Sequence, residues 1–164
     1  MDAGYCGGGV WCDTGLEILV RLSPHFHLDE YTASETAARR GIDNTPPPEL
    51  IGNLKRMAAT MEQIRDILGA AIIVTSGYRC LELNAAIGSK PTSAHVQGLA
   101  TDFIAPSFGT PLQICRKLVP HVASLGIDQL IFEHTWVHIG LRNGQAREQL
   151  LTLAGGGFVA GIVG

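Results

Sequence analysis

The stretch Ser93-Ala94-His95-Val96-Gln97-Gly98-Leu99-Ala100-Thr101-Asp102 sets an imidazole in a loop and a carboxylate inside the apolar run LATDFIA. A second imidazole, His138, follows in the late apolar run Trp136-Val137-His138-Ile139-Gly140. Two imidazoles and one carboxylate make the ligand shell of a catalytic zinc ion, with a fourth position left for water. A closed structural site more often uses four ligands including thiolates. Cys6, Cys12, Cys80 and Cys115 form no CxxC pair and no zinc-finger spacing. From the residues alone, two readings stay open. A histidine on an apolar strand is commonly a hydrogen-bonded core residue. An aspartate in so apolar a strand needs a cation or donors, because a bare buried carboxylate is costly.

The elements that must position these groups can be read from the pattern. Leu99 to Ala105 predicts a strand ended by Pro106, and Gln129 to Glu133 with Trp136 to Leu141 predicts a hairpin turning at His134-Thr135. Such a hairpin opposes Glu133 to Trp136 and Ile131 to His138, which puts Glu133 and His138 on one face. Ala71 to Thr75, β-branched and continuous, reads as a buried strand, and Leu81 to Ile87 as a short helix stopped by Gly88. Thr32 and Glu35 have capping-box spacing for a helix over Ala33 to Arg40 that stops at Gly41. Pro48 opens a longer helix in which Leu50, Ile51, Leu54, Met57, Met61, Ile64 and Leu68 form one apolar stripe closed by Gly69. Thr110-Pro111 opens another helix, with a kink expected at Pro120. Asn143-Gly144 is a turn signal, and Arg147 to Ala154 reads as an edge strand, although REQLLTLA also suits a helix. Together these give an α+β domain with a late antiparallel sheet.

The chain has 164 residues, of which 46% are hydrophobic and 16% charged, enough apolar content for a real core. Its formal charge is −3 and no run of Lys or Arg exceeds two, which argues against a nucleic-acid or anionic-membrane footprint. Residues 1–22, rich in Gly and carrying Cys6 and Cys12, read as a poorly ordered extension ahead of one domain over 23–164. The start has no basic segment before an apolar one, and the apolar C-terminus is too short and Gly-rich to span a bilayer. The expectation is cytoplasmic synthesis without an export signal, no membrane insertion, and a monomer.

SGYRC at Ser76 to Cys80, SAHVQGLATD at Ser93 to Asp102, and an acid shortly before Trp136-Val137-His138 together resemble the M15 zinc peptidases. That family comprises D-Ala-D-Ala carboxypeptidases and peptidoglycan endopeptidases. The likeness rests on the SxHxxGxAxD signature and the late histidine, and it is strongest to the small phage and prophage members. It runs from about Phe26 to the C-terminus and includes ASETAARRGIDNTPP. The resemblance implies a hedgehog/DD-peptidase-like fold with an antiparallel central sheet flanked by helices. It implies one zinc ion on His95, Asp102 and His138, and the peptidoglycan stem peptide as substrate. Several relatives carry the general base three residues before the last histidine. Here that position is Thr135, so the role passes to Glu133, with His134 as the alternative. Arg79 stands where the family places a substrate-contacting arginine, and Ser93 could bond substrate or cap the ligand loop. His25, His27 and His121 carry no motif. Without an export signal, phage lysis or virion delivery would bring such an enzyme to the wall. Two rivals remain at this level: a non-catalytic binding or virion-structural module on the same zinc fold, and a zinc hydrolase acting on another amide.

Overall fold

The structure, a computed structural model, describes residues 20–164. Helices α1 (Leu28–Thr32), α2 (Glu35–Arg40) and α3 (Ile51–Leu68) precede strand β1 (Ile73–Ser76) and helix α4 (Leu81–Ala86). Strand β2 (Ala100–Ile104) and helix α5 (Pro111–Leu118) come next, followed by strands β3 (Gln129–Phe132), β4 (Val137–Gly140), β5 (Gln149–Ala154) and β6 (Gly157–Ala160). The strands form one open sheet in the order β1-β2-β4-β3-β5-β6. Every neighbouring pair is antiparallel except β3 and β5, so the fold is α+β.

One sheet face packs on the helices. Leu54, Met57, Met61 and Ile64 of the α3 stripe meet Ile114, Cys115 and Leu118 of α5 and Phe103, Leu130, Val137 and Ile139 of the sheet. The alternation of a strand sends the residues between these to the opposite face. That face carries Asp102, His138 and Ile131 in register.

Several local expectations shift in detail. Ser34, not Thr32, caps α2 by accepting from Ala37 N, because Thr32 lies in α1 and turns its hydroxyl onto the Leu28 carbonyl. Helix α5 does not kink at Pro120. It ends at Leu118 and passes into a 3-10 turn, Val119–His121, that accommodates the proline. Strand β1 is an edge strand with Ile73 52% exposed, not a buried one, since it pairs with β2 alone. Of Arg147 to Ala154, Gln149–Ala154 does form a strand, but β6 covers its outer side, so β5 lies inside the sheet. Gly155 and Gly156, with φ of 57° and 82°, make the β5–β6 turn, whose two left-handed positions suit glycine. Of the extension expected over 1–22, Leu22 is a buried member of the core and Val20 accepts a bond from Leu28 N. Residues 1–19, including Cys6 and Cys12, lie outside the described residues.

Candidate metal centre and cleft

Asp102 of β2 sits directly opposite His138 of β4 in the antiparallel register, which brings His138 Nδ1 to 2.7 Å from Asp102 Oδ1. His95 arrives from a 3-10 turn, Ala94–Gln97, just ahead of β2. Gly98, at φ 66°, ends that turn in the left-handed region and lets the chain reverse into the strand. His95 Nε2 then lies 3.3 Å from the same Asp102 oxygen. One ligand atom from each of the three side chains falls within 4.8 Å of the others. All three are buried, at 3% (His95), 6% (Asp102) and 9% (His138) exposure.

The hydrogen-bond network says what such a cluster needs. His95 Nδ1 lies 2.6 Å from the Gly77 carbonyl, which can only accept, so Nδ1 carries the proton. Burial pushes the His95 ring toward its neutral form, against the pull of Asp102. A neutral ring so held presents a bare lone pair at Nε2 to a carboxylate oxygen. Two acceptors that face each other are relieved by a cation between them. The remaining contacts are those of an oriented ligand set, with a carbonyl behind one imidazole and Arg79 behind the carboxylate. Burial alone would raise the Asp102 carboxyl, but the hydrogen bond from His138 holds it well below the ordinary carboxylate range. The donor set therefore fits a divalent metal that takes nitrogen and oxygen, zinc being the usual choice.

Arg79 follows β1. Its Nη2 donates to Asp102 Oδ2 at 2.8 Å, and its Nε donates to the Ser76 hydroxyl at 3.0 Å. Arg79 is thus tied to the carboxylate of the cluster, while its other Nη makes no hydrogen bond among the described residues. Burial lowers its guanidinium from the ordinary value, and Asp102 and Glu133 oppose that shift.

Glu133 stands at the β3–β4 turn, where its N–H donates to Trp136 O, and Ile131 pairs with His138. This is the register read from the sequence, and it sets Glu133 on the cluster's face. Burial, then the Asp102 charge, raises the Glu133 carboxyl above the ordinary range, with His138 and Arg79 offsetting part of that. His134, at φ 62°, turns the other way. Its Nε2 bonds the Leu153 carbonyl at 2.7 Å and its ring packs on Phe132. Ser93 precedes the ligand turn and makes no side-chain capping bond. A cleft of about 950 Å³ is bordered by Arg79, Ser93, His95, Asp102, Glu133, Trp136 and His138 together. A smaller cavity of about 540 Å³ adjoins it across Arg79 and Trp136.

Two supporting residues escaped the sequence reading. Gly77 supplies the carbonyl for His95, and a Cβ there would lie 2.6 Å from Tyr31 O, so only glycine passes Tyr31 without displacement. Its signal was its place inside SGYRC. Asn44, buried, donates to Thr32 O and Tyr78 O and accepts from Cys80 N, which fixes the loop carrying Arg79. In sequence it looks like an ordinary turn residue before a proline run.

A protein-family model described as Peptidase M15 matches residues 24–140. The match spans β1 to β4 and so contains His95, Asp102, Glu133 and His138, while β5 and β6 lie beyond it. No curated protein matches the chain.

Proposed function

The chain belongs to the M15 peptidase family, and from that premise we propose that it is a zinc-dependent peptidase cutting peptide bonds of the peptidoglycan stem peptide. The observation that carries this reading is the convergence of His95, Asp102 and His138 on one point at the floor of an open cleft, with Glu133 on the same face.

In this proposal His95 Nε2, Asp102 and His138 Nδ1 hold one zinc ion. When bound there, zinc supplies Lewis acidity, which makes water a stronger acid and polarises a carbonyl. Glu133 takes a proton from the attacking water and delivers it to the leaving amine, a task that suits a carboxyl raised above its ordinary range. Arg79 orients Asp102 through Nη2 and offers its other Nη to the substrate carbonyl or carboxylate. Ser93, unengaged at the cleft edge, contacts the substrate backbone. No helix among the described residues is long and apolar enough to cross a membrane. We place the site of action at the bacterial wall, reached through phage lysis or with a virion.

Purified peptidoglycan incubated with the protein, with and without a chelator, tests this reading through the termini released, identified by mass spectrometry. New peptide termini that vanish with the chelator support it. Unchanged peptidoglycan in the presence of zinc refutes it.

A further inference from the structure

The cleft has two ends. Glu133 precedes β4, and Arg142 follows it by two residues, so the two stand at opposite ends of the strand that carries His138. The charges along the cleft are mostly paired. Arg79 answers Asp102. Asp128, 3% exposed, accepts from Arg147 through the backbone N–H, Nε and Nη2. Arg142 is different: it pairs with that same Asp128 only at 3.8 Å, Asp128 already accepts several bonds from Arg147, and the Arg142 guanidinium makes no hydrogen bond among the described residues. Lys90, which borders the same cleft from the loop after α4, has no acidic partner among the described residues.

Both cations stand on fixed backbone. Arg56 of α3 donates to the Arg142 carbonyl and to Asn143 Oδ1, and Leu141 N donates to Leu99 O. Asn84, 1% exposed, donates to the carbonyls of Ser89 and Lys90. Arg142, paired only at long range with an acid that Arg147 already engages, and Lys90, without an acidic partner among the described residues, stand on fixed backbone beside the cleft, where an anion can meet them.

We propose that Arg142, with Lys90 beside the same cleft, binds a carboxylate of the substrate at a distance from the bond that is cut. This rests on the peptidase reading above and adds a specificity-determining residue to it. The four steps of chain from His138 to Arg142, two of them beyond the end of β4, span at most about 13 Å. That length corresponds to at most about four extended residues of substrate between the carboxylate and the metal cluster. The ligand is therefore an acidic peptide, and its carboxylate comes either from a side chain or from the C-terminus.

The test uses the zinc-loaded full chain and three forms of one stem-type peptide: the parent, the form with its acidic side chain amidated, and the form with its C-terminus amidated. Cleavage kinetics and calorimetric binding are read for the wild type, Arg142→Gln and Arg142→Lys, with zinc content measured throughout. We expect Arg142→Gln to raise KM for the parent about tenfold with kcat little changed, the size of one charge-assisted hydrogen-bonded pair at a half-exposed site. Arg142→Lys should fall between, zinc content should hold, and the amidated form that lacks the recognised carboxylate should be indifferent to both substitutions. The form that loses discrimination identifies the source. If all three peptides respond equally to Arg142→Gln, or none responds, the proposal is overturned. If the wild type cleaves none of them, the peptidase reading falls, and the binding arm still decides Arg142. Equal wild-type affinity for parent and both amidated peptides would then refute it.

Discussion

Gly77→Ala tests the link from local packing to the metal cluster. The φ of Gly77 lies outside the left-handed region, so the obstacle to a side chain is contact alone. An added Cβ would meet Tyr31 O at 2.6 Å and Tyr31 Cα at 2.7 Å, both backbone atoms that cannot swing aside. Ordinary contact begins at 3.4 Å, so Gly77 and Tyr31 must separate by about 0.8 Å. Two bonds resist. Tyr78 N donates to that same Tyr31 O at 2.7 Å, and Gly77 O receives His95 Nδ1 at 2.6 Å. Overpacking with a weakened hydrogen bond should cost about 2–3 kcal/mol of stability. Turning His95 off its axis should lower zinc affinity about 10- to 100-fold, as disturbing the group behind a metal-bound histidine generally does.

Urea unfolding of the metal-free protein measures the first quantity, and competition against a chelating dye measures the second. Gly52→Ala is the control. Gly52 lies within α3, a Cβ there meets nothing within 4 Å, and alanine should add about 0.5–1 kcal/mol. Zinc affinity within twofold of wild type, alongside a clear loss of stability, would break the proposed link between Gly77 and His95. Unchanged stability would refute the steric argument itself.

Other substitutions separate the roles within the site. Glu133→Gln should keep zinc content while hydrolysis falls by about 10²- to 10⁴-fold; activity near wild type would remove Glu133 from the mechanism. His138→Ala should lower zinc stoichiometry as measured by atomic absorption, and a full complement of metal would exclude it as a ligand. Asp128 tests the acid limb of stability. Burial would raise its carboxyl, but hydrogen bonds from Arg147 hold it below the ordinary value. Its contribution is therefore present above about pH 4 and is lost as pH falls through the lowered value. Asp128→Asn should cost about 1–2 kcal/mol at pH 7, since Arg147 is half-exposed, and should flatten the fall in unfolding free energy below about pH 4. An equally steep fall in the variant would place the acid sensitivity elsewhere.

What the sequence made legible follows from which forces are local. The α3 stripe, the Thr110 cap and the stops at Gly41 and Gly69 depend on neighbours within a turn or two, and all are present. The hairpin register that joins Glu133 to the cluster's face is equally local, because a two-residue turn dictates which residues oppose each other. The α2 cap and the break at Pro120 are local shifts, whereas the larger errors concern position across the sheet. β-branched residues in Ala71 to Thr75 report a strand, yet nothing within that segment states whether a second strand lies beyond it. The same holds for β5, which lies on the far side of β3 from β4, pairs in parallel with β3 and is then covered by β6. Strand order is decided by packing between segments remote in sequence, and single-segment composition carries no record of it.

The same distinction runs through the site itself. Asp102 and His138 are opposite partners in paired antiparallel strands, so the ladder that builds the sheet also sets their separation. His95 has no ladder. It stands on a 3-10 turn and is aimed by one carbonyl, that of Gly77, at the end of an edge strand. Glu133 is likewise placed by a turn, whose left-handed His134 is pinned to the Leu153 carbonyl on β5. The cluster thus combines two side chains fixed by the sheet with two fixed by the loops that enter and leave it. The two-residue turn and the pairing of Ile131 with His138 keep the Glu133 carboxylate on the face where His95, Asp102 and His138 converge.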